Sequence, residues 1–276
     1  MTQRSVAPSV GSSAARIFDI SIGEMLWSRR SIFLGLVVGA PVVLAVVIRM
    51  LTTNFGPPQI NGEGVGGAAL FGMAIWVLYI RFIIPVLGVF YGTSLIADEV
   101  DDKTITYLFT RPIPRSAILF GKYLAYLFCT VLLILPSVVI VYLLLASIGG
   151  SLGATFPALL EDLAMLAIGL AAYGAVFAYV GARMKRPLVT GLVFAFGWEP
   201  AVLLFPGYLK RLTVAYYLQA LVPHAMPEDS AISVLMQVFH EVPPLWLSLA
   251  SLAVIIVGAL WAGGRAVETR EYVLEQ

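Results

Sequence analysis

Apolar residues in this chain fall in long blocks, not at the short periods of a soluble core. Six blocks stand out, at 31–51, 77–97, 124–145, 163–182, 188–205 and 245–263. Runs of ~20 predominantly apolar residues match the ~30 Å hydrocarbon layer of a bilayer at the rise of an α-helix. Each block therefore predicts a membrane-spanning helix. The strict alternation of short barrel strands is weak, which argues against an outer-membrane β-barrel. Only the segment 183–187 separates the fourth and fifth blocks, so those two form a tight helical hairpin.

Shorter periodic segments lie between the blocks. Phe18, Ile22, Met25 and Leu26 share one helical face, with Arg16, Asp19 and Glu24 elsewhere. That pattern predicts an amphipathic helix lying in the membrane interface, with Trp27, Arg29 and Arg30 at headgroup level. Between the fifth and sixth blocks, Ile232, Leu235, Met236 and Phe239 repeat at i, i+3, i+4 and i+7. Leu209, Leu212 and Tyr216 make a weaker stripe in the same stretch. These segments predict helices on the outer side of the bundle. Residues 1–14 are Ser-rich and aperiodic and read as a disordered tail.

Composition agrees with this pattern. Hydrophobic residues make up 60% of the 276 and charged residues 12%, too few to cover a soluble fold of this size, where about 25% is usual. The net charge of +1 does not suggest a nucleic-acid partner. The single cysteine, Cys129, lies inside the third block and reads as a buried thiol. The first ~30 residues are too polar for a cleavable signal, so the first span is expected to act as an uncleaved anchor.

Charge distribution sets the expected orientation. With the N-terminus cytoplasmic, thirteen of the seventeen Lys and Arg residues fall in inner segments. The other four, Arg49, Arg81, Lys210 and Arg211, lie in spans or outer loops. An even number of spans returns the C-terminus to the cytoplasm. The expected fold is an all-α integral membrane protein of six transmembrane helices, forming one domain over 1–276 in the cell membrane.

The loop after the second block carries the most information. Asp98, Glu99, Asp101 and Asp102 precede a short apolar segment, 105–109. Arg111-Pro112 then halts the helix, because proline disfavours helical geometry in the residue before it. Ser116 is placed to cap the next helix, whose first turns carry Lys122. A short helix with a small apolar face between charged flanks has the form of a docking surface for a cytoplasmic protein.

In order, Glu99, Thr104, Leu108, Arg111-Pro112, Arg115 and Lys122 resemble the signature of the type 2 ABC transporter permeases, the membrane subunits of ATP-binding cassette exporters. Family members often carry Gly before the Thr, where this chain has Lys103. The resemblance extends to the interfacial N-terminal helix, six spans and outer helices between spans five and six. It implies an ATP-driven exporter whose coupling loop docks on a separate ATP-binding subunit through Asp98, Glu99, Thr104, Tyr107, Leu108, Arg111, Pro112 and Arg115. It also implies a second permease copy, identical or related, with spans two and five near the shared interface. ATP and Mg would then be held by the partner subunit, and no cofactor or metal by this chain.

Other chemistry finds little support. Gly121-Lys122 is followed by Tyr123 and lacks the earlier glycine of a phosphate-binding loop. His240-Glu241 runs into Val-Pro-Pro, so metalloprotease spacing fails, and no G-x-S-x-G elbow occurs. A membrane-embedded enzyme and a secondary transporter are the alternative classes. The latter uses broken helices and several intramembrane charges. Two charges do fall within spans, Arg81 about 24 Å and Glu199 about 17 Å above the inner ends of theirs. Ionisable residues at such depth are functional candidates, and these two form a candidate intramembrane charge pair. Pro85 and Pro200 stand beside them.

Overall fold

The computed structural model describes residues 10–26, 30–56, 58–60, 63–101, 114–204, 208–222 and 243–269. Its long elements are all helices: α1 (Val10–Leu26), α2 (Arg30–Phe55), α3 (67–101), α4 (Arg115–Leu145), α5 (Leu152–Arg183), α6 (187–204), α7 (Val214–Gln219) and α8 (Leu245–Thr269). The strands β1 (Gln59–Ile60) and β2 (Glu63–Gly64) pair as a small antiparallel hairpin between α2 and α3. Among the described residues five helices, α2, α3, α4, α5 and α8, are long and apolar enough to cross a membrane.

These helices outrun the apolar blocks that mark them. α3 starts ten positions before the block at 77–97, and α4 and α5 start well before 124 and 163. Hydropathy marks only the lipid-depth portion, while backbone hydrogen bonding carries each helix on until a turn or proline stops it. α4 begins at Arg115 directly after Pro114, and no side chain caps it. Ser116 is already inside the helix, which corrects its expected role as a cap. Between α5 and α6 the chain turns in three residues and restarts at Pro187, whose missing N–H costs nothing at a first helical turn.

The block at 188–205 forms a shorter element. Its apolar helix runs Pro187–Val202 and widens to i→i+5 hydrogen bonding over Val193–Trp198. α3 widens in the same way over Ile75–Ile83 and Gly88–Gly92. After α6, a tight turn at Tyr208–Leu212 leads to α7, which packs on α3, α5 and α8. Tyr216 and Leu218 face inward and are buried, whereas Leu209 and Leu212 are exposed. The expected stripe of Leu209, Leu212 and Tyr216 is thus not one face. The second expected stripe, Ile232 to Phe239, lies outside the described residues.

α1 begins at Val10, so residues 10–14, assigned to the tail from sequence, form its first turn. It packs along α4. Its buried face is Ser13, Ala14, Ile17 and Ser21, with Phe18, Ile22 and Met25 half-buried beside it. The expected face is therefore rotated, and the cause is Gly121 on α4. A Cβ at Gly121 would stand 2.7 Å from the Ala14 carbonyl oxygen and 2.8 Å from Ile17 Cβ. Close backbone approach at small residues sets this contact, as is common between helices in membranes.

Polar side chains tie the central spans. The Ser137 hydroxyl of α4 donates to the Val38 carbonyl of α2 at 3.0 Å, and Tyr79 Oη of α3 donates to Ser137 Oγ at 2.8 Å. α3 and α5 approach backbone to backbone at Gly181, where a Cβ would fall 2.3 Å from the Thr93 carbonyl oxygen. Gly181→Ala must push the two helices apart. We expect it to cost about 1–3 kcal/mol, the range for overpacking, read as a lowered thermal midpoint in detergent. An unchanged midpoint would mean that the helices do not meet there.

Candidate functional site

Among the described residues, two polar clusters hold the charges that the sequence singles out. The first closes the mouth of the segment between α3 and α4. Glu99, in the last turns of α3, forms an ion pair with Lys122, in the second turn of α4. Their side chains are 19% and 14% exposed, so the pair is largely withdrawn from solvent screening. Twenty-three positions separate the two residues, and the pair ties the last turns of α3 to the start of α4.

Asp98 precedes Glu99 on α3, and Arg115 opens α4, so both stand at the same mouth. Thr104, Tyr107, Leu108, Arg111 and Pro112 lie outside the described residues. Gly121 is a helical residue pressed against α1, so Gly121-Lys122 serves packing and pairing, not a loop.

The second cluster surrounds Glu199. This carboxylate is 3% exposed at the widened part of α6, not presented to solvent at a helix end. Its Oε2 accepts from Tyr173 Oη of α5, and its Oε1 accepts from the Val214 backbone N–H of α7 at 2.9 Å. Arg81 lies within electrostatic reach of both Tyr173 and Glu199. Its guanidinium sits 4.7 Å from the centroid of the Trp76 ring and is not hydrogen-bonded to Glu199. The two charges thus share one neighbourhood while each rests on other partners.

The prolines account for the local geometry. Pro85 has no N–H to give the Arg81 carbonyl, and Pro200 has none for the Phe196 carbonyl. Beside them the ladder slips by one residue: Ile84 N–H reaches Tyr79 O, and Glu199 N–H reaches Phe194 O. Such widened turns recur at functional positions.

Sequence reasoning missed Tyr173 and Val214. Tyr173 sits unmarked in an apolar block, and the available signal was only that a buried phenol requires a partner. A backbone donor such as Val214 has no side-chain signature. An apolar groove of about 600 Å³ lies beside this cluster, between α2, α3 and α6, lined by Phe33, Pro41, Phe82, Val86, Phe90 and Phe196 among others.

Breaking the first cluster gives a direct test. Glu99→Gln and Lys122→Met should each lower stability by about 1–2 kcal/mol, as expected for a charge-assisted bond near the surface. The exchange Glu99→Lys with Lys122→Glu should recover most of that in thermal melts. Equal losses in the exchanged protein would show that the side chains do not interact.

A family model described as ABC-2 family transporter protein matches residues 23–198, well over half of the chain. No curated protein matches it.

Proposed function

The chain belongs to the ABC-2 transporter family, and we propose that it is the permease subunit of an ATP-driven exporter. It is a multi-pass membrane protein built on five long apolar helices. In our reading α6 supplies a further crossing, the fifth in chain order, which makes six. Both termini are cytoplasmic, because Lys and Arg concentrate on the segments that this orientation places inside. α1 then lies along the inner interface, and Tyr208–Leu212 and α7 belong to the outer half.

Coupling runs through the segment 98–115. The Glu99–Lys122 pair carries this assignment. An ion pair that fastens both ends of a cytoplasmic loop lets a force applied to the loop act on α3 and α4 together. In this scheme Thr104, Tyr107, Leu108, Arg111 and Pro112 meet a separate ATP-binding subunit, which holds ATP and Mg and performs the hydrolysis. The chain itself contributes no catalytic group. Its place is the plasma or inner membrane.

A six-helix subunit makes a poor closed pore alone, and the family reading implies two permease subunits. The apolar groove between α2, α3 and α6 supports placing the second copy on that side. It includes the two spans, the second and the fifth, expected near a shared interface.

Cysteines at Thr104 and Tyr107 should crosslink to the ATP-binding subunit, and Arg111→Glu should abolish transport while leaving the permease folded and inserted. Normal transport with no crosslink at either site would remove the loop from the mechanism. Native mass measurement in nanodiscs should give two permease chains per assembly, identical or related. An active assembly with one permease would sink the two-subunit reading.

A further inference from the structure

The segment 208–222 folds back onto the bundle where α6 stops. Leu218 is fully buried, with its Cδ1 3.3 Å from where a Cβ on Gly169 of α5 would stand. Val214, Ala215, Tyr216 and Tyr217 are also buried. A six-residue helix cannot satisfy its own opening N–H groups, and an apolar bundle offers no water to do so. Side chains supply the acceptors. Thr213 Oγ1 takes the Tyr216 N–H at 3.4 Å, and Glu199 Oε1 takes the Val214 N–H at 2.9 Å. The Glu199 contact comes from a different helix, so it fastens the segment to α6. Tyr173 then fastens the same carboxylate to α5.

We propose that Glu199 is a latch holding the strap 208–222 against the bundle, and that Arg81 is the partner Glu199 takes when the strap lifts. Lifting the strap takes the backbone donor from a buried carboxylate and leaves it with Tyr173, which is unfavourable unless another partner stands ready. Arg81 is that partner. It is cationic, within electrostatic reach, and engaged with the face of Trp76 instead of a carboxylate. The widened turns before Pro85 and Pro200 place slack in α3 and α6 beside both charges. The latch deepens the permease reading by naming a moving part, but its test needs neither ATP nor a transported molecule.

Hydrogen exchange on the full chain in nanodiscs reads the latch. Glu199→Ala removes the acceptor, and Val214→Pro removes the 2.9 Å backbone bond while leaving Glu199 in place, with the Ala215 N–H beside it. Proline suits that site: Val214 is the first helical residue, and Thr213 before it has φ −108° and ψ 144°, which a following proline favours. Both variants should raise exchange over 215–222 by tenfold or more, with α4 and α5 as in the wild type. Unchanged exchange in Val214→Pro overturns the latch, even if Glu199→Ala fails to fold. A rise spread through α4 and α5 in Val214→Pro overturns it too, since Glu199 would then hold the whole core. Arg81 is tested by a double-mutant cycle on melting temperature. Arg81→Gln should cost little alone and several-fold more in the Val214→Pro background. Additive losses would remove Arg81 from the switch. Failed crosslinking of the loop to the ATP-binding subunit would touch the permease reading and leave these outcomes intact.

Discussion

Water is absent from the interior of an apolar bundle, and every polar group there must find its partner within the chain. Several buried polar side chains mark where that requirement is met. Ser137 donates to the Val38 carbonyl of α2 and receives Tyr79. Tyr123 and Tyr126 of α4 both donate to carbonyls of α5, at 3.0 and 3.2 Å. Regular helix needs little of this help, because its backbone bonds close on themselves. Irregular backbone needs it acutely, and the Glu199 carboxylate, 3% exposed beside the widened part of α6, answers it by accepting from the Val214 N–H.

Proline accompanies two of the three widened stretches among the described residues. Pro85 and Pro200 each deny a carbonyl its usual donor, and each follows a stretch whose hydrogen bonds slip to the next residue. A widened turn changes which side chains share a face, so hydrophobic periodicity blurs there. It also shifts the helix axis beside Arg81 and Glu199, the two charges that the sequence singles out within its spans. Charge, proline and widened turn coincide on both helices, which ties these residues to backbone geometry as much as to each other.

The all-helical architecture was legible because apolar runs of membrane length have few other outcomes. The hairpin at 183–187 was legible from its charge cluster and Pro187. Helix ends were less so: α3 extends back to Gly67 through a stretch rich in Gly and Ala, which hydropathy undervalues. The buried face of α1 was misread because Phe and Ile weigh heavily in a helical pattern, whereas Gly121 on another helix decides the contact. Ser116 looked like a cap until Pro114 proved to mark the start of α4. At the candidate sites, Glu99 and Lys122 were readable as signature residues but their pairing was not. Glu199 was marked by its charge, while Tyr173 and a backbone N–H carried no mark at all.

The two clusters lie on or against one helix. Arg81 and Glu99 are eighteen positions apart on α3, about 27 Å at helical rise. Between them Ile83, Ile84, Val86, Leu87 and Val89 are buried, so this length of α3 is packed around most of its girth. Near its inner end it meets α5 backbone to backbone, where Gly181 faces Thr93. α5 also carries Tyr173, which holds Glu199. Close-packed interiors do not absorb displacement gradually. A tilt imposed on α3 at Glu99 must therefore either carry α5 with it or shear the contact at Gly181. In the first case Tyr173 moves with Arg81 and the second cluster keeps its internal geometry. In the second, Arg81 shifts relative to Tyr173 and Glu199, and the balance between the two charges changes. Tyr173 and Phe177 of α5 press on Gly88 and Gly92 of α3, so sliding meets side chains as well as backbone, and carrying α5 along is the less hindered of the two motions.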